Sequence, residues 1–163
     1  MEIRVLEPKD AALYREIRLE ALKNHPEAFS SGYEEEKEFS LAKTETRLGG
    51  GNFFTFGAFE QNELLGVVTL IVESKLKIKH RANIVAMYVK RKRLGIGKRL
   101  MLEAIKKARE LEGIEQVYLT VTSSNEPAKR LYQSLGFETY GLDKRALKIG
   151  DDYYDDELMV LFL

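Results

Sequence analysis

A chain of 163 residues, 44% hydrophobic and 32% charged, reads as one globular domain over residues 1–163, large enough to bury a core without staples. It has no cysteine, which excludes disulfides, thiolate metal ligands and a cysteine nucleophile, and His25 and His80 lack a metal-ligand spacing, so no metal is expected. Lys+Arg and Asp+Glu both number 26, which speaks against a nucleic-acid partner; with no apolar run of membrane-spanning length and no signal peptide in MEIRVLEPKD, no membrane partner and a cytoplasmic location are expected.

Taken in chain order, residues 2–6 form a short strand, and Pro8 opens a helix to about Lys23 with Leu13, Ile17 and Ala21 on one face. His25-Pro26 ends it. Residues 27–52 are mixed, with a helix near 40–48 and a break at Gly49-Gly50-Gly51. Strands 53–60 and 64–73 follow as a hairpin around Gln61-Asn62-Glu63. Residues 82–89 (ANIVAMYV) are apolar on both faces and predict a central strand. A helix over 96–112 places Leu100, Met101, Ala104, Ile105, Ala108 and Leu111 at helical spacing. Residues 115–122 alternate as a strand. The helix over 125–135 turns Ala128, Leu131, Tyr132 and Leu135 inward and stops at Gly136. Strands 137–147 and 153–162 complete the chain. The β-α-β unit over 82–122 requires a parallel pair with a right-handed crossover, and the hairpins on either side require antiparallel neighbours. The fold class is therefore α/β with a mixed sheet: about seven strands flanked by about four helices.

Charge is unevenly placed. Lys75 to Arg99 is rich in Lys and Arg, while Glu34–Glu36 with Glu38, and Asp151–Glu157, form acidic runs. Within the basic stretch, Lys92-Arg93-Leu94-Gly95-Ile96-Gly97-Lys98-Arg99 joins the central strand to the long helix. A helix start leaves about four backbone N–H groups unpaired, and residues 92–97 contain no Ser, Thr, Asp or Asn to cap one. Glycines at 95 and 97 keep Cβ atoms away from the backbone, and the helix dipole adds positive potential. The turn either relieves local strain or cradles a phosphate or pyrophosphate. GIGKR does not fit a P-loop, and Leu100 stands where a dinucleotide fingerprint needs its third glycine.

This turn, with Lys92 in the position of the usual Gln or Arg, resembles the [QR]-x-x-G-x-[GA] coenzyme-A signature of the GNAT N-acetyltransferases. Asn125-Glu126-Pro127-Ala128-Lys129-Arg130-Leu131-Tyr132-Gln133-Ser134-Leu135-Gly136-Phe137 resembles the same family's N-x-x-A-x-x-[LF]-Y-x-x-x-G-F stretch at every anchor. The resemblance implies the acyl-CoA N-acyltransferase fold, acetyl-CoA as acyl donor without a metal, and an amine acceptor that is a small molecule or a peptide. It puts the pyrophosphate on the N–H groups of Leu94 to Lys98, and counts Lys92, Arg93 and Lys129 among the cofactor-binding residues. The pantetheine arm would pair with backbone around Met87, Tyr88 and Val89, where an N–H also serves as oxyanion donor, an interaction worth about 3 kcal/mol.

Asn125 has two readings, a helix start in which Ser123 and Glu126 form a capping box and a hydrogen bond to the pantetheine arm. Tyr132 likewise reads as a core aromatic or, by the resemblance, as the general acid beside the departing sulfur, since a phenol with a pKa of about 10 can protonate or hydrogen-bond a thiolate. Glu73, Glu34, Glu35, Tyr33 and Asp155 are candidates for the base. Without a cysteine, direct transfer in a ternary complex is expected. The acceptor pocket is expected between the loop after the first helix, with Phe29, Tyr33 and Glu35, and the last hairpin, with Tyr154, whose acidic and aromatic character suits a cationic amine. An edge strand in the C-terminal hairpin offers a surface for a homodimer. Two other classes make different predictions. A non-catalytic acyl-CoA sensor would bind the cofactor and acetylate nothing, and a nucleic-acid module would show steeply salt-dependent binding.

Overall fold

The computed structural model describes residues 1–92 and 94–163. It contains a seven-stranded sheet in the order β1-β2-β3-β4-β5-β7-β6. The strands are β1 (Glu2–Val5), β2 (Phe53–Glu60), β3 (Glu63–Val72), β4 (Arg81–Val89), β5 (Gln116–Thr122), β6 (Glu138–Ile149) and β7 (Asp152–Phe162). The helices are α1 (Ala11–Asn24), α2 (Tyr33–Glu36), α3 (Leu41–Leu48), α4 (Ile96–Glu110) and α5 (Glu126–Ser134). The sequence reading therefore holds for the sheet and for α1, α3, α4 and α5, and α2 is a further single turn within the mixed segment.

Local chemistry accounts for most boundaries. The β2–β3 hairpin turns at Gln61 and Asn62, both in the left-handed region at φ 49° and 67°, as a two-residue turn between right-twisted strands demands. At the end of α5, Gly136 adopts φ 100°, and the Phe137 N–H donates to the Tyr132 carbonyl at 3.1 Å, which closes the helix with a Schellman-type bond. In α1 the buried stripe runs through Ala11, Tyr14, Ile17, Ala21 and Leu22. Leu13, read as inward, is exposed; it sits one position off that stripe, and Tyr14 takes the core position.

The sheet buries both faces. On one face Leu100, Met101 and Ala104 of α4 and Tyr132 of α5 pack in one cluster with Val117, Leu119 and Met159 of the sheet. On the other, α1 and the end of α3 pack Ile17 and Leu48 against Phe59, Leu64 and Val67. Among the described residues no helix is long and apolar enough to cross a membrane.

Among the described residues one strand pair is parallel. β4 and β5 pair through Arg81, Ala82 and Asn83 against Gln116, Val117 and Tyr118, and then part. β4 stays on β3 as far as Val89, and β5 stays on β7 as far as Thr122. The sheet thus opens as a V between the second half of β4 and the end of β5. At the opening, β4 carries a bulge where Val67 and Thr69 of β3 oppose Tyr88 and Val85, and Ala86 adopts φ 56°. A non-glycine residue there is strained.

Candidate active site

Three features meet at the V. The first is the start of α4. Gly95 is its N-cap at φ 70°, with no side-chain cap, and an added Cβ would meet nothing within 4 Å. The first bond back into the helix is from Arg99 N–H to the Gly95 carbonyl at 3.1 Å. The N–H groups of Ile96, Gly97 and Lys98 find no acceptor among the described residues. Leu94 is 60% exposed and Ile96 is buried; Lys92 and Lys98 are exposed. Gly97 has a different role: its Cβ would lie 3.1 Å from Met87 Cε, so the glycine lets α4 approach β4. Arg93, expected at the pyrophosphate, lies outside the described residues.

The second feature is the free edge of β4. Met87 and Val89 send their side chains toward Gly97. Tyr88 points to the opposite face, its ring 6.0 Å from that of His25. Burial raises the pKa of the Tyr88 phenol. What these residues offer the opening is their backbone, whose polar groups on that edge lack a strand partner beyond Asn83.

The third feature is α5. Tyr132 is 7% exposed, its ring 6.1 Å from that of Phe137 in an edge-on arrangement. Asn125 is the N-cap of α5, its Oδ1 accepting from Ala128 N–H at 3.2 Å. The expected capping box of Ser123 with Glu126 does not form: the N-cap is Asn125, two residues beyond Ser123, whose Oγ is buried without a partner among the described residues. Lys129 is committed within the protein. Its ammonium donates to Glu157 at 2.8 Å, to Glu126 at 3.1 Å and to the Ser123 carbonyl at 3.1 Å, which uses all three of its donors.

On the α1 side, the V opens into a groove of about 640 Å³. Neighbours in register place Phe53, Ile71, Asn83 and Tyr118 in one row across β2, β3, β4 and β5. Arg47 lies over the Phe53 ring at 5.6 Å and Arg81 over the Tyr118 ring at 3.9 Å. Phe29 lines the groove with Arg18 4.9 Å above its ring. Arg18 is locked to Glu36 by two hydrogen bonds, of 3.0 and 2.8 Å. Burial opposes ionisation of Glu36, but the bonds from Arg18 outweigh it and hold the carboxyl below its ordinary range. A bond of 3.0 Å from Thr122 Oγ1 to the Glu27 carbonyl ties the loop after α1 to the end of β5.

Of the four expected acceptor residues, the structure brings only Phe29 to the groove. Tyr33 lies under Lys23 at 5.9 Å, Glu35 is exposed on α2, and Tyr154 pairs with Leu147 in the hairpin without reaching the groove. Among the base candidates, Glu34 is paired with Lys37, Glu73 accepts from Asn83 Nδ2 at 2.9 Å, and Asp155 accepts the Arg145 N–H at 2.8 Å. The neighbouring Asp156, with Asp143 and the arginines Arg18, Arg47 and Arg81, lines the groove instead. Strand phase was the available signal for Asp156: it alternates with Leu158 and Val160, whereas Asp155 falls on the other face.

The model of the GNAT acetyltransferase family matches residues 14–137, a span that includes the α4 turn, the V and Tyr132. The chain belongs to that family. An N-alpha-acetyltransferase of Sulfurisphaera tokodaii is 37% identical over 70 residues, covering 43% of this chain and 42% of that protein, so the match spans less than half of the relative's length. A GNAT-family acetyltransferase from Streptococcus pneumoniae superposes with a TM-score of 0.87 at 24% identity, over 99% of this chain and 98% of the other. A putative acetyltransferase from Salmonella typhimurium, solved with its cofactor acetyl-CoA, superposes with a TM-score of 0.82 at 23% identity, over 100% of this chain and 94% of that one. These two structures establish the fold of this family member.

Proposed function

We propose that the protein transfers the acetyl group of acetyl-CoA directly to a primary amine held in the groove. One observation carries the reading: an uncapped helix start and an unpaired strand edge meet at a gap that continues into a groove on the other face of the sheet. The residues fit the cofactor. The N–H groups of Ile96, Gly97 and Lys98, free among the described residues, and the empty Cβ position of Gly95 suit a diphosphate. The free β4 edge around Met87–Val89 suits an amide-bearing arm. The similar Salmonella protein, with acetyl-CoA as its cofactor, supports the same donor here.

Acetyl-CoA supplies an activated acyl group, and the chain's own residues orient it and manage protons. Tyr132, whose hydroxyl burial keeps protonated, is the donor to the leaving sulfur. With no cysteine in the chain, the amine itself attacks. The acceptor is a cationic small-molecule amine or a peptide N-terminus, and the similarity to an N-alpha-acetyltransferase supports the peptide. Acetyl-CoA as donor fits a cytoplasmic protein, and the exposed β6 edge supports a homodimer, which light scattering tests.

Incubation with acetyl-CoA and a panel of polyamines, amino sugars, amino acids and short peptides, following free thiol and product mass, tests the function. Thiol release that depends on an amine, with a mass gain of one acetyl group, is the expected result. Tight acetyl-CoA binding with no transfer to any amine would make the protein a sensor on the same fold.

A further inference from the structure

Attack on a thioester requires a neutral amine, and an alkylamine with a pKa of about 10 is protonated at neutral pH. A group beside the acceptor has to take that proton. Past the last β4–β5 pair, the lining of the groove from these strands includes Val85, Ala86, Thr120 and Thr122, none of which titrates, and Tyr88, on the same side of the sheet beside His25, is a phenol whose pKa burial raises further. Glu73 sits too far away: its carboxylate accepts from Asn83 Nδ2, and Asn83 is level with Tyr118, about 13 Å along β5 from Thr122 at a strand rise of about 3.3 Å per residue.

Asp156 is placed where the base is needed. It pairs directly with Thr122 at the end of β5, and paired residues of neighbouring strands point to the same face. Counting on from Asn83 opposite Tyr118, Thr122 is level with the Ala86–Met87 stretch of β4, where the V is open. On its other side Asp156 is paired with Asp143 of β6. Two carboxylates directly opposite each other in a ladder are destabilising unless something cationic joins them, and neither forms a salt bridge among the described residues.

We propose that Asp156 is the general base of the acetyl transfer and that Asp143 is its positioning partner across the β6–β7 ladder. The assignment rests on the acetyl-transfer reading above. The substrate ammonium gives one proton to the Asp156 carboxylate. The nitrogen lone pair then forms the C–N bond as the C–S bond breaks. Tyr132 protonates the sulfur and recovers the second nitrogen proton, so the products are the amide and the free thiol. Asp156 passes its proton to water before the next turnover.

The electrostatic surroundings agree. Burial raises the affinity of Asp156 for a proton, and the charges of Asp143 and Asp155 add to it. The remaining charged groups of the groove are Glu27, whose carboxylate lies 3.7 Å from His25 Nδ1, and the three arginines. Arg18 is committed to Glu36, while Arg47 and Arg81 lie over rings in the Phe53–Tyr118 row. That row is four β5 positions from Thr122, or about 13 Å.

The test uses the whole enzyme, the best acceptor from the panel, and the variants Asp156→Asn, Asp143→Asn and Glu27→Gln. Asp156→Asn is expected to lower kcat about 100-fold or more while leaving the acetyl-CoA Kd within a factor of about two. Asp143→Asn should keep most of kcat and move the acidic limb of kcat/KM to lower pH, because loss of the facing charge makes Asp156 more acidic. A carbon-13 NMR titration of the aspartate carboxyls, free of any turnover, should show Asp156 titrating above the ordinary range and returning toward it in Asp143→Asn. An active enzyme indifferent to Asp156→Asn, or one disabled by Glu27→Gln instead, overturns the assignment alone. Acetyl-CoA binding by the wild type with no transfer to any amine overturns the acetyl-transfer reading, and the base with it.

Discussion

Burial pushes the Tyr132 phenol up to about 12, so it stays protonated across the pH range in which an acetyltransferase works. A group in that state can donate to a thiolate but cannot take the first proton from the substrate ammonium, and the proposed mechanism gives that proton to a carboxylate on the other side of the gap. Tyr132→Phe keeps the ring packed on Phe137 and removes only the hydroxyl. It should lower kcat tenfold or more and leave the acetyl-CoA Kd nearly unchanged; stopped-flow or thiol-release kinetics beside calorimetry separate the two. Asp156 makes a matching prediction for stability. Its folded pKa is raised, so the folded state favours the protonated form, and the stability this provides at low pH is lost as pH rises from the ordinary aspartate value of 3.8 through the folded value. Asp156→Asn should therefore melt higher than the wild type at neutral pH, with the difference vanishing in acid. A residue kept at a cost to stability and needed for turnover is the pattern expected of a catalytic group.

At the scale of elements, the helix starts divide the work between structure and ligand. Gly95 and Gly113 share a left-handed backbone, at φ 70° and 83°, and an empty Cβ position, but only Gly95 stands at the uncapped start of α4. Gly95→Ala and Gly113→Ala should each cost about 1 kcal/mol in denaturant titrations. Only Gly95→Ala should also weaken acetyl-CoA, by about tenfold, equivalent to about 1.4 kcal/mol; equal affinities in the two variants would remove the pyrophosphate from that turn. At α5, Asn125→Ala should cost about 1 kcal/mol through loss of the cap, whereas Asn125→Asp keeps it. If acetyl-CoA affinity falls in Asn125→Asp while stability holds, the amide nitrogen has a ligand. These two helix starts were legible in the sequence because glycine, asparagine and the apolar stripe are local signals. α2 was not legible, since a single turn of Tyr and three Glu has no apolar period to read. Its place comes from Glu36 reaching Arg18 of α1.

The proposed function puts donor and acceptor on opposite faces of one sheet, joined through the gap where β4 and β5 part. The order of strands and the position of the parallel pair were legible, because strand periodicity and the β-α-β handedness rule fix them. The groove was not, because its walls are cross-strand neighbours far apart in sequence: Phe53 with Tyr118, and Thr122 with Asp156 and Asp143. The choice of Asp155 over Asp156 shows how little separates the two outcomes, since one residue of phase moves a carboxylate from one face to the other. The same long-range logic governs the groove's outer wall. Arg18 of α1 and Glu36 of α2 form a two-bonded ion pair whose side chains are 11% and 9% exposed, and Arg18 in turn covers Phe29. Removing one partner strands the other charge, so Glu36→Gln should cost about 3 kcal/mol. Because the Glu36 and Asp10 carboxyls are both held low by arginine, the stability they contribute is complete above their ordinary values of 4.5 and 3.8 and is lost as pH falls through the depressed folded values. Thermal unfolding should then show wild type and Glu36→Gln converging in strong acid and separating above about pH 5. A constant gap at every pH would mean that the pair fills space without contributing its charge. If the variant also loses affinity for the amine while keeping acetyl-CoA, the ion pair is shown to hold the acceptor wall, which the donor side does not depend on.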